Sequence, residues 1–231
     1  MSFRRIQVGA LAAIALSVAA IVASGGAERG PLAGRLIVVD PGHGDHDRGV
    51  CHFPSDLIEK EINLDVARRL ERSLKAAGAQ VVLTRTDDTF VTLDERADLA
   101  NRLGAHLFVS VHTNRIPNHP ECFGAQTFYR PSSQESRRLA LLVQEELLRI
   151  DSENYRRALP GDYRVLRRTR MPGILVEVGF LTNARDRSLI ATEAYRDAVA
   201  ASITAGIVRF FAESPEPSSA VTPVRPAQPG R

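Results

Sequence analysis

Cysteine and lysine are both scarce in this chain. Only Cys51 and Cys122 occur among its 231 residues, too few for a disulfide scaffold, and neither has the spacing of a structural zinc knuckle. A chain of this length with 44% hydrophobic residues buries a core without such staples. Lysine is confined to Lys60 and Lys75, so the basic residues are almost all arginine. Arginine suits bidentate recognition of carboxylates and phosphates, and a GC-rich genome gives the same bias more simply. A net charge of +3 leaves no broad basic field, and no nucleic-acid partner is expected. Internal repeats are missing as well. Function must therefore come from local chemistry.

Charge is absent from Ile6 to Ala23, an apolar run preceded by Arg4 and Arg5 and followed by Ser24, Gly25, Gly26 and Ala27. That is the layout of an export segment. The run is longer than a usual signal core and near the minimum for a spanning helix, so residues 1–30 read as either a cleaved signal peptide or a membrane anchor. Both place the remainder outside the cytoplasmic membrane, secreted or anchored on its outer face. There the two cysteines can pair or stay free. Residues 213–231 are rich in proline and serine with no apolar period, and read as a disordered tail.

Between these ends, residues 31–212 alternate regularly. Leu36–Val39 is a short apolar run closed by Pro41, Gly42 and Gly44, a buried strand ending in a tight loop that carries His43. Helical spacing of Ile62, Val66, Leu70 and Leu74 predicts a helix over Glu61–Ala77, with Gly78 as its stop. Strands are expected at Gln80–Thr84, Leu107–Val111, Ala125–Tyr129 and Ile174–Val178. Helices are expected at Leu93–Leu103, Gln134–Ile150 and Tyr195–Phe211. Strands separated by helices of this length predict a single α/β domain, a mostly parallel (mixed) twisted sheet with helices on both faces. Arg156, Arg157, Arg164, Arg167, Arg168 and Arg170 cluster before the last strand, and read as a solvated face ahead of a polyanion contact.

The polar residues at strand ends carry the chemistry. His43 follows the first strand, His112 follows the third, Glu177 lies near the end of GILVEVGF, and Glu59 stands just before the first helix. Parallel strands bring their carboxyl ends to one edge, so these distant residues can converge on one crevice. Two imidazoles and a carboxylate suit a zinc ion (Zn2+) with an open fourth position, and a second carboxylate beside it suits a general base. Spacing leaves open which glutamate takes which task.

Six stretches, DPGHG, LIEKEINL, TR at Thr84 and Arg85, LDERADLAN, FVSVHTN and VEVGFLTN, resemble the zinc-dependent N-acetylmuramoyl-L-alanine amidases. They occur in that family's order from Arg35 to Phe211. The resemblance implies His43, Glu59 and His112 as zinc ligands and Glu177 as the catalytic glutamate. Glu59 is preferred to Glu61 because the family's ligand immediately precedes the lysine, here Lys60. It also implies hydrolysis of the amide between N-acetylmuramic acid and L-alanine in peptidoglycan. Arg85 and Asn114 match positions flanking the site, and bracing of loops is favoured over substrate contact.

Within the family the chain is most similar to the germination-specific amidases that prepare spore cortex for muramic δ-lactam formation. No appended wall-binding repeat is visible. The segment before Ile174 is short for an autoinhibitory helix, so an open site is expected unless a regulatory partner protein covers it. Three departures stand out: Asp45 replaces the common glycine after PGHG, His46 follows it, so that Asp45–Asp47 is an unusual stretch bordering the proposed metal, and Cys51 and His52 occupy a loop that is usually small and polar. His46, His52, His106 and His119 are read as loop histidines outside the metal set. Competing assignments are a vegetative or division amidase, another zinc hydrolase of cell-wall amides, and a wall-binding protein without turnover.

Overall fold

A computed structural model describes residues 30–213. The export segment expected over residues 1–30 and the tail expected over 213–231 lie outside the described residues, apart from Gly30 and Glu213. One sheet is built from β1 (Leu36–Pro41), β4 (Gln80–Leu83), β5 (Leu107–Asn114), β6 (Gln126–Tyr129), β7 (Leu159–Pro160) and β8 (Gly173–Phe180). Its order is β4-β1-β5-β8-β6-β7. The first four strands run parallel, and β6, with β7 parallel to it, runs antiparallel to β8. The expected mixed, mostly parallel sheet is what forms.

Period-two alternation sends successive side chains to opposite faces. Ile37, Val39, Val109, Val111, Ile174 and Val176 pack under α1 (Glu59–Ala76), α3 (Gln134–Arg149) and α6 (Glu193–Ala212). Val38, Val82, Phe108 and Leu175 face the other way, against Leu99 and Ala100 of α2 (Leu93–Leu103) and Val165 and Leu166 of α4 (Arg164–Arg168). Both faces are covered, which is why β8 is buried at every position and reads as an unbroken apolar run. Every helix of the described residues falls short of the length and apolarity needed to cross a membrane.

Local signals explain several boundaries. α2 has the limits its pattern predicts, because Thr92 and Glu95 form a reciprocal capping box and Gly104 closes it in a left-handed conformation. α3 and α6 are capped by the Ser133 and Thr192 side chains. α1 differs. It begins at Glu59, two residues earlier than its periodicity suggests, behind Ile58, whose side chain makes no cap. Packing sets that start: Ile62, Val66, Leu70 and Leu74 are buried, and each contributes about 1.5–3 kcal/mol gross. The outcome matters for function, since it puts Glu59 in the first turn rather than in the loop ahead of it.

Five short elements have no sequence signature. β2 (Cys51–His52) and β3 (Leu57–Ile58) form a separate antiparallel hairpin, too short to show alternation. β7, α4 and α5 (Ala184–Ile190) are likewise about two turns or less. α4 carries part of the arginine cluster, and those arginines are neutralised locally. Arg164 and Arg168 pair with Asp94, Arg168 also lies 3.5 Å from Asp98, and Arg167 pairs with Asp162. The solvated-face reading fits these pairs.

Candidate metal centre

The DPGHG loop is shaped by the side chains it must admit. A Cβ on Gly42 would lie 2.2 Å from the His112 ring, and one on Gly49 would lie 2.6 Å from Glu59 Oε2 and 2.8 Å from His43 Cδ2. Both glycines thus make room for site residues. His43 itself has φ of 64°, a left-handed conformation that costs a side-chain-bearing residue energy and must be held by its surroundings.

A buried polar network holds it. Asp40 is fully buried at the end of β1 and accepts from Arg96 Nη1 at 2.8 Å, the Thr84 hydroxyl at 2.6 Å and the Ser110 hydroxyl at 2.7 Å. Arg96 also donates to the carbonyls of Pro41, His43 and Val91. Burial pushes the Asp40 carboxyl up, but the Arg96 charge and these hydrogen bonds outweigh it and leave the group below its usual value. Arg85 completes the brace, donating to the carbonyls of Pro41, Gly42, Lys60 and Asp87. Burial, then the nearby Arg96 charge, draw its pKa down to about 10, so it stays cationic at neutral pH. Its role is loop bracing, as favoured from the sequence. Arg85→Ala leaves buried carbonyls unpaired, each at a cost of about 1–3 kcal/mol, and urea denaturation should show a loss of at least about 2 kcal/mol.

On this frame His43, Glu59 and His112 converge, with one ligand atom from each all within 4.8 Å. Glu59 Oε1 lies 3.0 Å from His43 Nε2 and 3.1 Å from His112 Nδ1. The same carboxylate accepts from the backbone N–H of Val50 at 2.8 Å and of Thr113 at 3.1 Å, and Asn63 Nδ2 lies 3.4 Å away. Burial raises the Glu59 pKa, but hydrogen bonds from His112 and His43 prevail and hold it strongly ionised. Glu61, the sequence alternative, lies outside the cluster. The far nitrogen of His43, Nδ1, is 2.8 Å from Asp47 Oδ2, the carboxylate–histidine arrangement that fixes ring orientation in metal sites. The sequence reading missed Asp40 and Arg96, and it singled out the stretch containing Asp47 without giving that residue a role. The signal for Asp40 was available: a charged residue ending an otherwise apolar buried strand.

Glu177 enters from β8. Strand register places it beside His112 on β5 and Gln126 on β6. Its Oε2 is buried without a hydrogen-bond partner among the described residues. Burial, and then the Glu59 charge, push its carboxyl well above the usual range. Burial followed by the Glu177 charge likewise raises Tyr163 to about 12. Two imidazoles and a buried carboxylate gathered around one point, with an orphaned buried carboxylate oxygen on the next strand, fit a cation bound with an open position. The other histidines stand apart from the cluster. His52 contacts Ser55, His119 contacts Glu121, His106 Nδ1 accepts from the Leu36 N–H, and His46 is 70% exposed against Phe90. Cys51 and Cys122 are free thiols. Asn114 accepts from the Arg115 N–H next to it.

The profile of the N-acetylmuramoyl-L-alanine amidases matches residues 37–209. The chain belongs to this family. The amidase is 36% identical to the germination-specific N-acetylmuramoyl-L-alanine amidase of Bacillus subtilis (strain 168) over 203 residues, 81% of this chain and 84% of that protein. It is 38% identical to the amidase LytC of the same strain over 189 residues, 79% of this chain, and spans only 37% of LytC's length. Among solved structures, the amidase superposes on the CwlD amidase from Clostridioides difficile, whose structure is in complex with the GerS lipoprotein. The TM-score is 0.74 at 32% identity, covering 78% of this chain and 99% of that one.

Proposed function

We propose that this amidase hydrolyses the bond between the lactyl group of N-acetylmuramic acid and L-alanine in peptidoglycan, releasing stem peptides from glycan strands. His43, Glu59 and His112 hold a zinc ion in this proposal, and Glu177 is the proton carrier. The convergence of the three ligand atoms beside the unpartnered Glu177 carboxylate is the observation that carries it. A bound zinc ion supplies positive charge that polarises the scissile carbonyl and acidifies water. Asp47 orients the His43 ring, and Asn63 and two backbone N–H groups keep Glu59 ionised and fixed. Glu177, at the level of His112, takes the proton from the attacking water and delivers it to the departing alanine nitrogen. A buried, elevated carboxyl is suited to both halves of that transfer, because its proton affinity lies nearer to that of the groups it serves.

Metal removal checks the cofactor. Dialysis against a chelator is expected to abolish amide hydrolysis, and stoichiometric zinc to restore it. Full activity in metal-free protein would contradict the assignment.

The substrate lies outside the cytoplasmic membrane, which agrees with residues 1–30 acting as a signal or anchor and residues 31–212 as the catalytic domain. Similarity to the germination-specific amidase across most of both chains supports a role in spore cortex, as the first step toward muramic δ-lactam. A strain lacking the protein should then make cortex without δ-lactam. Normal δ-lactam content would instead favour a vegetative role, for which the similarity to LytC speaks. The CwlD–GerS complex makes a regulatory protein partner part of the proposal.

A further inference from the structure

A cleft of about 730 Å3 opens beside the ligand cluster, lined by Gly49, Val50, Cys51 and His52 on one wall and by Arg115, Leu181, Thr182 and Arg187 on the other. Its size is that of a small-ligand site, which typically runs from about 300 to 1,000 Å3. Gly49 joins the cleft to the centre, since this residue packs against both Glu59 and His43. The second wall is made by the residues that follow β5 and β8 and by Arg187 of α5, with the two strand ends tied together where the Leu181 N–H donates to the Asn114 carbonyl at 2.9 Å.

The lining is cationic without compensation: it contains two arginines and no acidic residue. Several arginines elsewhere are matched by carboxylates, as at Arg69, Arg164, Arg185 and Arg209, and others, such as Arg85, Arg130 and Arg156, are held by backbone carbonyls. Arg187 Nη1 donates to the Leu181 carbonyl at 2.9 Å, which fixes that guanidinium on the cleft wall. The Arg115 guanidinium makes no hydrogen bond or ion pair among the described residues. An exposed arginine at the mouth of a catalytic cleft, with its fork free, is equipped to take a carboxylate bidentately.

Resting on the amidase reading above, we propose that this cleft receives the peptide arm of the substrate and that Arg115, supported by Arg187, binds the free carboxylate of its second residue. Distances along the chain permit it. Arg115 lies three residues beyond His112, a separation of at most about 10 Å in extended chain. The second residue of the stem follows the alanine at the scissile bond by one Cα–Cα step of about 3.8 Å. An arginine side chain closes the remaining gap. Arg115 touches no reacting atom in this arrangement and acts as a specificity residue.

The test uses the full-length protein and two synthetic muramoyl peptides that differ only at the second residue, one with a free α-carboxylate and one with that group as the neutral amide. The measured quantity is the ratio of their kcat/KM values. The wild-type ratio is expected to favour the carboxylate by about ten- to hundredfold, the effect of one charge-assisted pair. Arg115→Ala should bring the ratio close to unity through the KM of the carboxylate substrate, and Arg115→Lys should restore part of it. A wild-type ratio near one, or a ratio unchanged in Arg115→Ala, overturns the proposal while leaving the amidase reading intact. Failure of the wild type to cleave either peptide contradicts the amidase reading and removes this proposal with it.

Discussion

Glu177→Gln should lower kcat by about 10²- to 10⁴-fold, the usual worth of a positioned general acid–base. The substitution is close to isosteric in a site where β8 is buried on both faces, so folding should survive. It removes the carboxylate on β8, beside the His43–Glu59–His112 cluster, that is proposed to accept and return the proton. Because Glu177 lies outside that cluster, zinc content should stay at one per chain while turnover falls. That pairing separates a proton carrier from a metal ligand: His112→Ala should lose both metal and activity. Near-wild-type kcat in Glu177→Gln would remove the glutamate from the mechanism.

The second large effect is on stability. Asp40→Ala is expected to cost about 3–5 kcal/mol, the usual consequence of leaving one half of a buried ion pair uncompensated. Arg96 would lose its carboxylate in a setting where it is 2% exposed, and the Thr84 and Ser110 hydroxyls would lose their acceptor. Against a total stability of about 5–15 kcal/mol for a domain, that is a large share. The site should suffer too, because Arg96 also holds the His43 carbonyl, and weaker zinc affinity is expected alongside the lower urea midpoint. The pH dependence has a definite sign. The Asp40 pKa is depressed in the folded protein, so its ionisation stabilises the fold above the unfolded value of about 3.9. That contribution fades as pH falls through the folded value. Asp40→Asn, which cannot titrate, should show a shallower loss of stability in acid than the wild type. Equal acid slopes in the two proteins would count against the pairing.

Much of this architecture can be read from the chain because its determinants are local. Glycine brackets, 3.6-residue periodicity and short apolar runs mark β1, β5, β8 and α1, and parallel strands oblige His43, His112 and Glu177 to gather at one edge. Glu59 was harder. Its place depends on where α1 begins, which packing settles, and no cap residue announces it. Asp40 carried a signal of its own, but the pairing that makes the brace was out of reach for a different reason. Asp40 and Arg96 are 56 positions apart, and neither residue shows its partner until the sheet and α2 are packed together. The cationic cleft depends on the β2–β3 hairpin, two strands of two residues each, too short to leave a pattern. Residues 45–47 looked unusual from sequence alone, and the structure divides them: Asp47 supports the His43 ring, while Asp45 and His46 point away from the cluster into solvent at 69% and 70% side-chain exposure.

The most direct measurement is the mass of what the protein releases. Protein beginning at Gly30, incubated with purified peptidoglycan, should liberate stem peptides with a free L-alanine amino terminus and leave glycan strands with their acetyl groups intact. Chelator should stop the release and zinc restore it. Products that are deacetylated glycan, or peptides cut between amino acids, would contradict the amidase assignment, as would release of stem peptides that proceeds undiminished without metal.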